Sequence, residues 1–434
     1  MTASAPLTVD AWLRLVYALG FHAAQPREAL ERLGDLDPAR RRDPAVGCAI
    51  GDVDAVAVLA ADPVRRDAPL APLRMPPLVA VTFSSLLTIP QYAERLRACV
   101  HVLLDAGASV DATWVDDKFP DSPLGALYGA AGRNHDLSLT QLLLARGANP
   151  NDNESVYHAT EAPTLDCLRA LLDAGARVTG TNAIFHVLDR EDPDGLRLLL
   201  QKGGDPNERM REFTPLAWAI RRRRSLAVID ILLDAGADPR ARDAAGCTPL
   251  QLARRAGLER VAARLVEVAG DEPVDAREAF IVACASANEG AARAALAESP
   301  NLMRDLAADD LRLLPDCVET RRDDAVRLMV TLGWPIDARG GDWNASALNL
   351  AVFRGDASLT RFLLEHGADW RETHGYGDNV LGTLHFAAVA RPAHDGDWLA
   401  CATVLLDHGM PVPPADDARA WPPPITVLFA DRRA

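Results

Sequence analysis

The sequence predicts an all-α chain, a solenoid of about ten helix-turn-helix-hairpin units whose core grows lengthwise. Three observations carry that prediction. A segment of the form LL-x-x-G returns along the chain, as LLDAGASVDA, LLARGANPND, LLDAGARVTG, LLQKGGDPNE and LLDAGADPRA, and later as LMVTLGWPID, LLEHGADWRE and LLDHGMPVPP. Its glycines sit at 107, 147, 175, 203, 236, 333, 367 and 409, and the step is 33 from Gly203 to Gly236 and 34 from Gly333 to Gly367, with two units shortened to 28. The clearest unit, FTPLAWAIRRRRSLAVIDILLDAGADPRARDAAG from Phe213 to Gly246, is followed at once by CTPLQLAR, so one unit opens where another closes.

Each part of that unit has a local reason. Thr214 and Thr248 can cap the first helix, and Pro215 and Pro249 fall in its first turn, where a missing N–H costs nothing. Leu232 and Leu233 fall on the buried side of the second helix, Gly236 supplies the left-handed residue that ends it, and Asp238-Pro239 opens an extended hairpin. A period near 33, with TPL opening the first helix and GAD closing the second, resembles the ankyrin repeat, over roughly residues 45 to 413. The resemblance implies a binding scaffold that uses its concave face and hairpin tips. It also implies a role for His158, His186 and His385, which occupy the His slot of the T-P-L-H pattern: hydrogen bonds that hold neighbouring hairpins.

In chain order, residues 1–44 read as a helical N-terminal cap, with Trp12, Leu15, Val16 and Leu19 at helical spacing. Residues 45–270 form a first array beginning with AVGCAIGDVDAVAVLAADP. Within it MPPLVAVTFSSLLTIPQYAERLRACVHVLL is longer than a standard helix pair, and the next hairpin, DATWVDDKFPDS, is also long. Residues 271–413 hold degenerate and then regular repeats. The signature fades between Gly270 and Gly333, with a change of curvature expected near 270 to 310, and the last full unit inserts RPAHDGDWLA between its helices. Residues 414–434, Pro-rich and apolar at ITVLF, read as a C-terminal cap.

Composition bounds the function. Of 434 residues, 49% are apolar and only 5% aromatic, so the core is built from Ala, Leu and Val, which suit closely stacked helices. The net charge of −15 disfavours nucleic acid and anionic lipid and suits a basic protein partner, although it also serves solubility. The abundance of Ala, Arg and Asp reads as the codon bias of a GC-rich bacterial genome. Seven cysteines include no C-x-x-C, and Cys99, Cys167 and Cys401 share one slot eight residues before a repeat glycine. They read as small buried residues in a reducing cytoplasm, with no zinc site and no disulfide set. No stretch has the length or apolarity of a membrane span or targeting signal.

Signatures of catalysis are absent: no G-x-S-x-G, H-E-x-x-H or P-loop, and HGYGDNVLG lacks dinucleotide-binding spacing. No cofactor and no metal site is expected. His366 and His408 precede repeat glycines, where a cation suits a helix C-terminus. The pairs Asp116-Asp117, Asp323-Asp324 and Asp416-Asp417 read as turns or helix starts. Arg221 to Arg224, the densest basic run, read as a solvated turn between two helices, with binding of phosphate or an acidic partner as the alternative.

The late hairpins, residues 339–346 and 370–382, depart furthest from scaffolding. They bring Trp343, Trp370 and Tyr376 beside Asp342, Asn344, His374, Asp378 and Asn379, the large aromatics and fixed polar groups that a recognition hot spot needs. A secondary candidate is Trp114, Asp116, Asp117, Lys118 and Phe119. The leading expectation is therefore a non-catalytic scaffold with a protein partner. Its rival is an enzyme or small-ligand binder with a pocket between the late hairpins and His374 and Asp378 as acid and base. Self-association is a third reading; the sequence leaves the oligomeric state open.

Overall fold

The computed structural model describes residues 7–17, 19, 23–390, 395–417 and 419–434. These are mostly helical and divide into two compact units, Met1–Asp238 and Pro239–Ala434. That division falls within the span expected as one first array, 45–270. The RPAH of the late insertion lies outside the described residues.

In the first unit the helix Val9–Val16 is capped by Thr8 and buries Trp12, whose indole N–H donates to the Ala29 carbonyl at 2.7 Å. Six helix pairs follow: Pro44–Ile50 with Val53–Ala60, Pro77–Phe83 with Pro90–Asp105, and residues 126–133 with Leu137–Ala145. Ser155–Ala159 then pairs with Asp166–Asp173, Ala183–Asp189 with Pro193–Gln201, and Pro215–Arg221 with Leu226–Asp234. The second unit holds Pro249–Arg255 with Glu259–Ala269, Ala276–Ala285 with Glu289–Glu298, and residues 308–319 with Asp323–Thr331. Ala347–Phe353 with Ala357–Glu365, Val380–Ala390 with Trp398–Asp407, and a closing helix Pro423–Arg433 complete it. The faded middle therefore keeps its pairing, and among the described residues the pairs after the N-terminal helices number eleven where the sequence suggested about ten. The ITVLF tail is part of the closing helix, which buries Ile425 and Phe429.

The local rules hold. Thr214 and Thr248 accept from the backbone at the third helical residue, each followed by proline at the first turn. All eight repeat glycines have φ between +87° and +98°. At seven of them an added Cβ would meet nothing within 4 Å, so backbone conformation and not space demands glycine there. Leu232 is fully buried, whereas Leu233 is only partly so. Seven of the second helices have their own side-chain caps, in Asp52, Asp136, Asp192, Ser225, Asn288, Asp356 and Asp397, each accepting from a backbone N–H three residues on.

Neighbouring hairpins of the first unit are tied by a repeated bond. The side-chain oxygens of Asp67, Asp111, Asn151 and Asn207 accept the backbone N–H of Ser109, Asn149, Arg177 and Asp238 in the following hairpins, at 2.7 to 2.9 Å. The histidines expected to hold the hairpins bond elsewhere. His158 meets Glu161 at 3.1 Å, His186 meets the Thr160 hydroxyl at 2.9 Å, and His385 meets the Ala420 carbonyl at 3.3 Å. The segments SVYH, AIFH and GTLH lack the Thr-Pro start of the T-P-L-H pattern, and in the first unit Asp and Asn side chains already occupy these hairpin N–H groups.

All seven cysteines are buried thiols outside any disulfide. Cys167 and Cys401 each share a hydrogen bond with a threonine hydroxyl, Thr140 at 3.7 Å and Thr360 at 3.8 Å, at equivalent places in their repeats. The middle of the second unit contains a buried ionic network absent from the sequence expectations. Arg255 binds Glu278 with two nitrogens and Asp310 at 3.1 Å, while Arg277 binds Asp310 at 2.5 Å. Glu278 and Asp310 are 4% and 2% exposed, so their charges depend on these arginines.

Candidate functional site

The late hairpins lie in the second unit. The first is a short antiparallel pair in which Arg339 faces Ser346 and Gly340 faces Ala345. Its turn uses two left-handed residues, Gly341 at φ +66° and Asn344 at φ +50°. The second tip closes on itself: the His374 N–H donates to the Asp378 carbonyl at 2.9 Å and the Gly377 N–H to the His374 carbonyl at 2.8 Å. The tips touch through main chain, because the Gly375 N–H donates to the Trp343 carbonyl at 2.8 Å.

That contact brings the side chains together. The Trp343 ring lies edge-on to His374 with centroids 4.9 Å apart, and His374 to Tyr376 at 6.0 Å. On its other side Trp343 packs against Phe353 at 5.2 Å, and Phe353 stacks with Phe386 at 6.3 Å and 11°. Five rings thus run from the second tip across both hairpins onto two first helices. Tyr376 is 84% exposed and Phe386 60% exposed, while Trp343, His374 and Phe353 are half-buried. Phe353 and Phe386 were missed in the sequence, where each sits inside an ordinary apolar helix pattern. The signal that could have found them is phenylalanine at the solvent-facing end of a first helix.

The remaining predicted residues have other duties. Asn379 caps the helix Val380–Ala390, its side-chain oxygen accepting from Leu381 and Gly382 at 3.1 and 3.4 Å. The Asp378 carboxylate accepts the Asn379 N–H at 2.8 Å. Trp370 stands apart from the five rings, with the Arg371 guanidinium over its face at 4.6 Å. Asp342 and Asn344 are exposed on the turn. His374 and Asp378 share no side-chain hydrogen bond; the His374 Nδ1 instead accepts the Tyr376 N–H at 3.2 Å. Burial holds the His374 imidazole below its usual range, with Asp378 pulling it up and Arg339 pushing it down. The ring is thus neutral near pH 7, the form that can accept this bond.

The basic run is largely neutralised from within. Arg222 donates to Asp189 at 2.7 Å and lies over Trp218 at 4.4 Å, whose indole N–H reaches the same carboxylate at 3.0 Å. Arg224 lies 3.6 Å from Glu191, and Arg221 covers Phe213 at 5.3 Å. His366 and His408 each bond the carbonyl four residues back, at Phe362 and Val404, both at 2.8 Å. Asp323 pairs with Arg354 and Asp417 with Arg419. Among the described residues no group of three or more His, Cys, Asp or Glu side chains could hold a metal ion, and no helix is long and apolar enough to cross a membrane.

The secondary candidate splits. Trp114 and Asp116 are 7% exposed, whereas Asp117, Lys118 and Phe119 lie at the surface. The Trp114 N–H donates to the Leu73 carbonyl at 2.8 Å, and the Asp116 carboxylate accepts the Lys118 N–H at 2.9 Å.

Residues 156–243 match the family model for ankyrin repeats (3 copies). Among solved structures, the crystal structure of the human ASB11 ankyrin repeat domain is similar at 21% identity, with a TM-score of 0.41, covering 53% of this chain and 99% of that chain. No curated protein matches the chain.

Proposed function

We propose that this chain, a member of the ankyrin-repeat family, is a non-catalytic scaffold that holds a protein partner on the hairpin tips and first helices of its second unit. Ankyrin repeats are in general protein-interaction modules. The observation that carries the reading is the aromatic run Tyr376–His374–Trp343–Phe353–Phe386, whose ends are exposed and whose centre is braced by the core. Rings anchored in this way contribute contact area with little ordering cost on binding. The exposed carboxylates of Asp342 and Asp378 beside the run, and the net charge of −15, favour a partner segment with apolar anchors and basic flanks. A reducing cytoplasm is the setting we infer, supported by seven cysteines that form no disulfide.

The test is affinity capture with the full chain from a lysate, comparing wild type with Trp343→Ala, Tyr376→Ala and Phe386→Ser at physiological salt. Loss of the same captured protein by at least about tenfold in each variant is expected. Unchanged capture in all three would remove this surface as the site, and a captured partner without a basic segment would remove the charge argument.

A further inference from the structure

Within the first unit, residues 69–74, residues 113–118 of the long early hairpin and the N-terminal segment line an open cleft of about 560 Å³, the size of a small-molecule site. Its walls are tied to one another and to the core. Trp114 is fixed to Leu73 through its indole N–H and packs edge-on against Phe83 at 6.1 Å. Asp67 accepts the Ser109 N–H at 2.9 Å, which ties one hairpin to the other. Leu19, Leu73, Trp114 and Val115 give the cleft an apolar lining.

Charges on the rim are of both signs. Arg14 is committed to Asp10, with two nitrogens at 2.8 and 3.3 Å. The buried Asp116 carboxylate holds the turn at Lys118. Lys118 is engaged, and the other two rim charges, Arg74 and Asp117, are exposed and make neither hydrogen bond nor ion pair with any described residue, although the Asp117 charge also acts on Arg14. An exposed cation and an exposed anion over an apolar lining match a ligand that carries both charges on an apolar body. A purely anionic ligand would face Asp116 and Asp117, and a purely cationic one Arg14, Arg74 and Lys118.

We propose that this cleft binds a small zwitterion of the amino-acid class with an apolar side chain, its carboxylate at Arg74 and its ammonium at Asp117. The site is separate from the aromatic run of the second unit and does not depend on the reading given to that run.

Calorimetric titration of the full chain tests it, with L-leucine and L-phenylalanine as probes. Phenylpropionate, phenethylamine and N-acetyl-phenylalanine amide each remove one or both charges. Saturable binding of a free amino acid is expected, weakened at least about tenfold in each of the three analogues and in Arg74→Asn and Asp117→Asn, and unchanged in Trp343→Ala. Both rim residues are exposed, and asparagine tolerates the left-handed backbone at Arg74 (φ +57°), so thermal melts of these variants should match wild type. The proposal is overturned if neither amino acid saturates by about 10 mM, or if an analogue lacking a charge binds equally well. Tighter binding of a blocked tripeptide with phenylalanine at its centre would also overturn it, by showing a peptide groove.

Discussion

The Gly375 N–H donates to the Trp343 carbonyl at 2.8 Å, and this bond joins the two late hairpins. An alanine at 375 would place its Cβ 2.7 Å from that same carbonyl oxygen. Backbone cannot yield as a flexible side chain can, so Gly375→Ala should part the tips and cost about 2 kcal/mol. Gly377 differs: nothing lies within 4 Å of its Cβ position, but its φ is +85°. Gly377→Ala should cost about 1 kcal/mol and leave the bond in place. Hydrogen exchange at the residue 375 amide separates the two. Protection lost in the first variant and kept in the second is the expected result; protection kept in both would show that the tips are not coupled through this contact.

Arg255 is the hub of the buried network, since it serves both Glu278 and Asp310. Arg255→Met should destabilise the chain by about 3 to 5 kcal/mol, because Glu278 loses a partner in a site it cannot leave. Arg277 is 41% exposed at its side chain, and Asp310 would keep Arg255, so Arg277→Met should cost only about 1 kcal/mol. Urea unfolding of both variants measures the contrast. Equal losses would mean that the network is not organised around Arg255.

Burial pushes the Cys99, Cys284 and Cys401 thiols up to about 12 and Cys247 up to about 11. Since the thiolate is the reactive form, the folded chain should resist an aromatic disulfide reagent at about pH 8. All seven cysteines should react once denaturant is added. Fast labelling of a thiol in the folded chain would contradict the burial described above.

Glu161 contacts histidines of two adjacent repeats, His158 at 3.1 Å and His186 at 3.6 Å. His158 also has Glu154 at 3.5 Å, and both histidines pack on the Tyr157 ring. Burial disfavours the charged His158, but Glu154 and Glu161 outweigh it and raise its value. A raised folded value contributes stability that is present below about pH 6.5 and lost as pH rises through the raised value. His186 runs the other way: burial and then Arg190 lower it, so its contribution is present above about pH 6.5 and lost as pH falls. Glu161→Gln removes the carboxylate that favours charge on both rings. The melting temperature of this variant should fall more at about pH 5.5 than at about pH 8.5. An equal fall at both would assign Glu161 a packing role alone.

Much of the fold is written in local chemistry. A threonine before Pro-Leu, an Asp or Ser before a second helix and a glycine after LL-x-x each act on neighbouring residues, through a cap or a φ that other residues avoid. Thr214, Asp192 and Gly236 are therefore legible one by one, and a recurrence near 33 turns them into a stacked array. The tips around Trp343 and Tyr376 were legible for a related reason, since an aromatic in a glycine-rich hairpin has no packing duty within its own repeat.

What the tertiary structure decided is which of these residues meet. Trp370 and Trp343 read alike in sequence, yet only Trp343 joins the ring run, because stacking carries the Gly375 amide to its carbonyl. The four arginines from 221 to 224 read as a basic patch until Asp189 and Glu191 of the preceding repeat arrive beside them. Phe353 and Phe386 look like core until the stack leaves the first half-buried and the second exposed, 33 residues apart and face to face. In each case the partner comes from another repeat, so the contact depends on the register of the stack. Periodicity in the chain announces that a stack exists; the fit of one unit on the next determines what it presents.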